Sequence, residues 1–252
     1  MPGVGRHSNG LHYASISMQS NERIIVALDF ESGAEALQLV EQLGPMAPHY
    51  KVGLQLLTAE GPAVVRELVA RGKKVFLDLK VHEIPNSVAG AVAAAGVLGA
   101  SMVTVHASGG SAVLQAAVEA ARPYPGLSVL ALTVITSMRD KDLVEVGVSA
   151  SVAEQVVRLA KLAAAAGCQG VVASPQEARL LREVLPPGVL IVTPGTQLPA
   201  DASNDQARTA TPTEAIRSGS THLVIGRSIT RSPNPSATFA SISAQVEEAT
   251  AR

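Results

Sequence analysis

Short apolar segments recur along the chain, and each is followed by a longer stretch with helical periodicity. The apolar segments are rich in Val, Ile and Leu and scarcely alternate with polar residues, which is typical of parallel strands that are buried on both faces. There are eight of them: RIIVALD (23–29), YKVGL (50–54), KVFLDLK (74–80), SMVTVHA (101–107), LSVLALTVI (127–135), GVVAS (170–174), GVLIVT (188–193) and THLVIG (221–226).

The intervening segments, such as ESGAEALQLVEQLG and VAEQVVRLAKLAAAAG, carry apolar residues at three- and four-residue steps, and several end in Gly. Eight β-then-α units in 252 residues match the size of a (β/α)8 TIM barrel of the α/β class. An open doubly wound sheet is the alternative, but it requires a glycine fingerprint after the first strand, and ALDFESGAEA has none. The sequence therefore predicts a single barrel domain over residues 21–252.

The composition argues against several kinds of partner. A net charge of -1 gives no basic surface for nucleic acid, and 2% aromatic residues give no platform for stacking bases. No apolar run is long enough to span a membrane, and residues 1–20 lack the apolar stretch of a signal peptide. We therefore expect a flexible leader over residues 1–20 and a cytoplasmic protein. The single cysteine, Cys168, forms no internal disulfide, and no Cys/His cluster has zinc spacing, so no metal is expected.

Polar side chains occur where several predicted strands end, which is where TIM barrels carry their chemistry. Residues two apart on a strand share a face, so Asp78 and Lys80 are expected to point into one space. Buried charges are too costly to leave unpaired, and a structural ring of ion pairs is the alternative to a catalytic site. In chain order the residues are Asp29, Lys51, Asp78, Lys80, His106 and Ser137.

The end of the last predicted strand has the features of an anion site. Gly226 allows close approach of the backbone, the amides of the following turn are available as donors, and Arg227 can bind two oxygens at once. The preceding segment TPGTQLPADASNDQARTATP (193–212) is long and polar, as lids and binding loops are. Together they predict a small phosphorylated substrate. The alternative is that Arg227 only pairs with a neighbouring carboxylate.

These residues also carry a resemblance to a known family. DLKVHEIPNS (78–87) resembles the D-x-K-x-x-D-I-P-N-T signature of the orotidine 5′-monophosphate decarboxylases, and other similar segments follow in the family's order. Related barrels that act on sugar phosphates resemble D-A-G, not I-P-N, at this point. The other segments are VALD (26–29), KVGLQL (51–56), TVHASGG (104–110), LTVITSM (132–138), TPG (193–195), DQAR (205–208) and VIGRSI (224–229).

The resemblance implies a homodimeric enzyme that converts orotidine 5′-monophosphate to UMP and CO2 in pyrimidine biosynthesis without a cofactor. It implies that Lys80 protonates C6 of the pyrimidine, that Asp78 lies against the substrate carboxylate, and that Lys51 links Asp78 to the ribose region. His106 is expected beside the charged network rather than as a catalyst. For substrate binding the resemblance implies Asp29 at a ribose hydroxyl, Ser137 at the base, Gln206 at phosphate and base, and Gly226 with Arg227 at the phosphate.

The sequence departs from the family pattern in three places. Glu83 stands where the family has an Asp that reaches from a second subunit to complete a Lys-Asp-Lys-Asp array. The alternative is that Glu83 only favours the N-terminus of the following helix. Ser87 replaces Thr, keeps its hydroxyl, and would also cross between subunits. Thr196 and Gln197 replace Ile and Arg, which leaves more of the phosphate to Arg227.

The charges suit decarboxylation because losing CO2 from the ring leaves a carbanion with no adjacent carbonyl, which an ammonium can stabilise. Neighbouring carboxylates favour the charged lysine, whereas a class I aldolase needs a neutral amine to form a Schiff base. A metal-dependent sugar-phosphate decarboxylase, an aldolase of the same superfamily and a non-catalytic barrel that binds a phosphorylated metabolite are the alternatives.

Overall fold

The computed structural model describes residues 18–198 and 208–251. Within these ranges eight parallel strands close into a barrel, with each strand pairing with the next along the chain and the last with the first. The strands are β1 (Ile24–Ala27), β2 (His49–Gly53), β3 (Lys74–Val81), β4 (Met102–His106), β5 (Ser128–Leu132), β6 (Gly170–Val172), β7 (Leu190–Thr193) and β8 (His222–Ile225). All eight predicted strands are present, and the predicted TIM barrel is confirmed.

Helices connect the strands around the barrel. Two of the helices begin with a reciprocal capping box. The Ser151 and Thr211 hydroxyls accept from the backbone N–H of Glu154 and Glu214, and the carboxylates of these glutamates accept from the backbone N–H of Ser151 and Thr211. The helices are α1 (Gly33–Leu43), α2 (Leu54–Glu60), α3 (Ala63–Ala70), α4 (Pro85–Val97), α5 (Ser111–Ala121), α6 (Asp140–Glu145), α7 (Val152–Ala165), α8 (Pro175–Val184), α9 (Pro212–Arg217), α10 (Arg227–Thr230) and α11 (Pro235–Thr250).

Alternate strand residues pack on opposite sides of the barrel wall, as the period of a strand requires. One buried cluster packs the strands against the surrounding helices. The other contains only strand residues and fills the interior: Ile25, Ala27, Phe76, Met102, Leu130, Leu132, Val172, Val192 and Val224. Two residues further along β3 and β4, the same alternation places Asp78 and Thr104 above this apolar plug. The interior is therefore closed below and polar towards the C-terminal ends of the strands.

The opposite end of the barrel holds two buried histidines. His49 begins β2 and His222 begins β8, with 2% and 5% of their surfaces exposed. Their rings meet edge to face at a centroid distance of 6.0 Å. Burial lowers the pKa of His49 to about 4, with Lys74 adding to the effect, and it lowers the pKa of His222 to about 3, with His49 and Arg23 adding to it. Both imidazoles are therefore neutral in the folded protein near neutral pH.

Two predicted segments fall partly outside the described residues. Of the leader, Met18–Ser20 are described, and Ser20 Oγ lies 2.9 Å from Ser243 Oγ. Of the segment 193–212, a bridge between Thr196 and Ala210 is described, and α9 begins at its end. Gln206 lies outside the described residues. None of the described helices is long and apolar enough to cross a membrane.

Candidate active site

Two ion pairs stand at the C-terminal ends of the first three strands. Lys51 Nζ lies 2.8 Å and 3.1 Å from the two carboxylate oxygens of Asp29, so β1 and β2 are joined by this pair. Lys80 Nζ lies 2.8 Å from Asp78 Oδ2, so these two side chains meet as the alternation predicts. Gly53 is aligned with Asp78 between β2 and β3, and a Cβ built on it would lie 3.4 Å from both Asp29 Oδ1 and Lys51 Nζ. The absence of a side chain at Gly53 keeps the space beside the first pair open.

The two members of the second pair differ in exposure. The Asp78 side chain is 13% exposed, whereas 36% of the Lys80 side chain is exposed. The carboxylate is thus held in the barrel wall, and the ammonium reaches the open rim where a substrate could meet it. An ammonium in this position could stabilise negative charge on a bound ligand and deliver a proton to it.

The backbone at Lys80 leaves regular strand geometry. Its φ is 50°, in the left-handed region, and it is the only non-glycine residue with a positive φ in residues 18–198 and 208–251. The pairing of β3 with β4 also shifts here, since Leu77 pairs with Val103 while Val81 pairs with Val105. Strained backbone of this kind clusters at functional sites, because it persists only where the surroundings hold it.

Two imidazoles lie beside the ion pairs. His82 directly follows β3, and His106 is the last residue of β4. Their rings stack with centroids 5.0 Å apart and an interplanar angle of 23°. His106 Nδ1 accepts from the N–H of Ser108 at 3.3 Å. Burial lowers the pKa of His106, and the charges of His82 and Lys80 add to the effect. The lowered pKa favours the neutral imidazole, and the role of His106 beside the charged network stays a prediction.

Glu83 is exposed and lies directly before α4. Its Oε1 accepts from the N–H of Ile84 at 2.6 Å, while Lys51 and Lys80 are each paired with an aspartate. Within one chain Glu83 therefore has the local contact that the helix-terminus interpretation describes. Ser87 lies in the first turn of the same helix and is exposed, as Glu83 is.

The predicted anion site follows β8. Gly226 precedes the short helix α10, which begins at Arg227, and the Gly226 carbonyl accepts from the Ile229 N–H at 2.9 Å. Because β8 pairs with β1, this turn is adjacent to the strand end that carries Asp29. Ser137 is exposed in the loop after β5, across the barrel mouth. Of the residues predicted for the ribose, the phosphate and the base, those that the structure describes (Asp29, Ser137, Gly226 and Arg227) are thus distributed around one rim.

The sequence analysis assigned no role to a buried ion pair under this rim. The Arg208 guanidinium pairs with Glu177 at the start of α8, and the other Glu177 oxygen accepts from Ser174 Oγ. The same guanidinium donates to the carbonyls of Ile135 at 3.2 Å and Thr136 at 3.4 Å, directly before Ser137. Arg208 thereby joins the loops after β5, β6 and β7. The motif DQAR contains it, but nothing local identifies Glu177 as its partner.

Thr104 is a further residue to which the sequence analysis assigned no role. It is fully buried on β4, and its hydroxyl contacts both Asp78 and the Lys80 backbone. Its position two residues before His106 places it on the inner side of the barrel, which is the one signal the sequence contains. Across the described ranges, no group of three or more His, Cys, Asp or Glu residues is arranged to hold a metal ion.

Comparison with known proteins connects this site to one family. The model of the family described as "Orotidine 5'-phosphate decarboxylase / HUMPS family" matches residues 22–242. A protein of Moorella thermoacetica named orotidine 5'-phosphate decarboxylase is 48% identical over 239 residues, which cover 92% of this chain and 95% of that protein. One of the same name from Haemophilus influenzae strain Rd is 47% identical over 226 residues, covering 89% of this chain and 98% of that protein.

Solved structures agree with these sequence matches. The crystal structure of orotidine 5'-phosphate decarboxylase from Lactobacillus acidophilus superposes with a TM-score of 0.79 at 35% identity, covering 88% of this chain and 98% of that one. An uncharacterized conserved protein from Geobacillus kaustophilus superposes with a TM-score of 0.78, also at 35% identity, covering 88% of this chain and 99% of that one.

Proposed function

Since the chain belongs to the orotidine 5'-phosphate decarboxylase / HUMPS family, we propose that it converts orotidine 5′-monophosphate to UMP and CO2 without a metal or an organic cofactor. The observation that carries the proposal is the Asp78–Lys80 ion pair at the barrel rim, in which the ammonium is more exposed (36%) than the carboxylate (13%). The reaction would belong to de novo pyrimidine biosynthesis, and we place it in the cytoplasm.

The chemistry requires charge stabilisation at one ring carbon. When CO2 leaves C6, the electron pair of the broken C–C bond stays on that carbon, and no adjacent carbonyl can delocalise it. Lys80 Nζ would stabilise this developing charge and then transfer its proton to C6, so that a C–H bond replaces the C–C bond. Asp78 would hold the ammonium in place and face the substrate carboxylate, and Lys51 would link the two aspartates once substrate is bound.

The remote groups would hold the ring in this field. Asp29 would accept from a ribose hydroxyl, Ser137 would contact the base, and Gly226 with Arg227 would bind the phosphate. Gln206 remains our candidate for a joint contact to phosphate and base. Binding energy from a non-reacting phosphate can be used to position the reacting ring, so a nucleoside without phosphate should be a poor substrate.

We further propose that the active unit is a homodimer in which Glu83 and Ser87 enter the partner's site. The support is a group of exposed residues next to the rim, since Leu54 is 58% exposed and Ile84 is 62% exposed. Exposed large apolar side chains beside a site are typical of a surface that a second subunit covers. A two-fold axis would bring both copies of Glu83 into equivalent positions.

Sharing of the site can be tested by mixing two inactive variants. A dimer of one Lys80→Ala chain and one Glu83→Ala chain contains one site with both native residues. Mixing the two chains after mild dissociation should therefore restore roughly a quarter of the wild-type activity, because half of the dimers are mixed and each has one intact site. If no activity is recovered although sedimentation shows a dimeric mass, Glu83 acts only within its own chain.

The main experiment follows the loss of pyrimidine absorbance with orotidine 5′-monophosphate in the presence of EDTA. Wild-type protein should turn over, and Lys80→Ala should lose at least about 10³-fold in kcat. Lys74→Ala is a matched control, because Lys74 lies at the other end of β3 in an exposed pair with Glu22. Absence of turnover by the wild type would remove the proposal.

The alternative enzymes predict different results in the same preparation. An aldolase would form a borohydride-trapped adduct at Lys80 with a carbonyl substrate. A metal-dependent sugar-phosphate decarboxylase would be inactive in EDTA and recover with Mg²⁺. A barrel that only binds would retain UMP in calorimetry and convert nothing.

A further inference from the structure

Thr104 holds the two central residues of the site in one hydrogen-bonded circuit. Its Oγ1 accepts from the Lys80 N–H at 2.9 Å and contacts Asp78 Oδ1 at 3.0 Å. A hydroxyl has one hydrogen, and an ionised carboxylate can only accept, so the Thr104 hydrogen points to Asp78. Asp78 Oδ2 in turn accepts from the Lys80 ammonium at 2.8 Å. The circuit therefore runs from the Lys80 backbone through Thr104 and Asp78 to the Lys80 side chain.

This circuit fixes the plane of the Asp78 carboxylate. One oxygen is bound from the barrel wall and the other from the rim, so rotation about the Cβ–Cγ bond would break both contacts. Thr104 is 0% exposed, and its χ1 is restricted because the side chain is β-branched. Asp78 Oδ1 therefore has a rigid donor, and the direction of Oδ2 follows from it.

The same hydroxyl supports the strained backbone. Lys80 has a φ of 50°, and the pairing of β3 with β4 shifts between Leu77 and Val81. A partly buried N–H at such a shift still requires an acceptor. The Thr104 side chain supplies that acceptor, and it thereby stabilises the conformation that turns the Lys80 side chain towards Asp78.

We infer that Thr104 is a positioning residue for decarboxylation, because its hydroxyl sets where the Asp78 carboxylate and the Lys80 ammonium stand. The inference rests on the proposed function. Thr104 acts only through these two residues, and the predicted ribose and phosphate contacts lie on other strands. Its loss should therefore affect the chemical step and leave the binding of nucleotide almost unchanged.

The test compares two variants that separate the hydroxyl from the methyl group. Thr104→Val keeps the shape and removes the hydroxyl, whereas Thr104→Ser keeps the hydroxyl and removes the methyl. With orotidine 5′-monophosphate, Thr104→Val should lose about 10- to 100-fold in kcat, since small misplacements of reacting groups have effects of this size. Its Kd for UMP in calorimetry should change by less than about threefold. Thr104→Ser should retain kcat within about threefold of wild type.

Two kinetic results would overturn the inference. One is Thr104→Val with kcat within twofold of the wild type, and the other is Thr104→Ser with as large a loss as Thr104→Val, which would indicate a packing role. Exchange of the Lys80 amide hydrogen in the wild-type protein, followed by NMR, gives a measurement that needs no folded variant. We expect protection like that of its strand neighbours, and exchange as fast as in an exposed loop would also overturn the inference.

The proposed function can fail separately. Wild-type protein that does not decarboxylate orotidine 5′-monophosphate would remove the function, whatever the amide exchange shows. Active wild-type protein with an unaffected Thr104→Val would remove only the role of Thr104.

Discussion

Lys80 Nζ lies 2.8 Å from Oδ2 of Asp78, although the backbone that joins the two residues leaves strand geometry at Lys80, with φ at 50°. In a regular strand these two side chains would project side by side from the same face, two residues apart along the chain. The departure at Lys80 accompanies a direct ion pair at the barrel mouth. The site thus combines an ammonium that faces outward with a carboxylate that is held beneath it.

Lys80→Arg should separate the charge of Lys80 from its proton. An arginine keeps the positive charge but cannot act as an acid at neutral pH, and its planar group has a different shape. We expect kcat for orotidine 5′-monophosphate to fall by at least about 10³-fold, while Kd for UMP changes by less than about tenfold. Steady-state kinetics and calorimetry measure the two quantities. Turnover within tenfold of the wild type would mean that Lys80 supplies charge alone.

Glu83→Gln distinguishes the two interpretations of Glu83. The amide oxygen of Gln can still accept from the Ile84 N–H, which Glu83 binds at 2.6 Å, but the negative charge is lost. If Glu83 completes the array in a partner's site, Glu83→Gln and Glu83→Ala should both lower kcat by about 10²-fold or more. Glu83→Asp should be mild, because it keeps the charge. Near-wild-type kcat for Glu83→Gln would establish the helix-terminus role.

Arg208→Met should destabilise the fold, because it leaves the Glu177 carboxylate buried without its cation. Loss of one partner of a buried pair costs about 3–5 kcal/mol of unfolding free energy, which a shift of the urea midpoint would report. Arg179→Met is the control. Arg179 lies on α8, the helix that carries Glu177, and its pair with Glu183 spans 3.9 Å with side chains 86% and 65% exposed. It should change stability by less than about 0.5 kcal/mol.

The double variant Glu177→Met with Arg208→Met tests the cause of this loss. Replacing both charges by apolar groups should recover part of the stability lost in Arg208→Met, since no unpaired charge remains. If the double variant instead loses as much unfolding free energy as the two single variants together, the effect comes from the contacts of Arg208 with the Ile135 and Thr136 carbonyls.

The buried histidines predict a loss of stability in acid. In the unfolded chain the pKa of both imidazoles is about 6.5, whereas in the folded protein the pKa is about 4 for His49 and about 3 for His222. Below about pH 6.5 the unfolded state binds more protons, so stability is complete above that pH and falls as the pH drops towards the folded-state values. Between about pH 7 and pH 5 each histidine should remove up to about 2 kcal/mol.

Urea unfolding at the two pH values measures this loss. The double variant His49→Gln with His222→Gln should unfold with a smaller pH dependence than the wild type, even where it is less stable at neutral pH. An unchanged pH dependence would assign the acid sensitivity to other groups.

The fold was predictable because its strands are buried on both faces. Eight apolar runs separated by helical segments leave few arrangements, and each strand was located within a few residues. Asp29, Lys51, Asp78 and Lys80 were also predictable, since charges at the ends of apolar runs are costly unless they are paired. These predictions depend only on local sequence and on the period of a strand.

The remainder of the site depends on contacts between distant residues. Thr104 is one of several buried threonines, and its role follows from a shift in the pairing of β3 with β4 that no local pattern announces. Glu177 and Arg208 are 31 residues apart, and both have ordinary surface-helix or loop surroundings in the sequence. The partner of Glu83 is a matter of quaternary structure, so it stays a prediction.

The pairing of β1 with β2 and of β2 with β3 has a consequence for when the proposed active site is assembled. The alignment of these three strands brings Asp29, Lys51, Asp78 and Lys80 together as the sheet forms, so the charges are fixed by the same ladder that stabilises the protein. Under the proposed mechanism, a substrate that enters would therefore meet side chains that are already oriented. The free energy needed to orient these charged groups would then be supplied once, when the polypeptide folds, and not in each catalytic cycle.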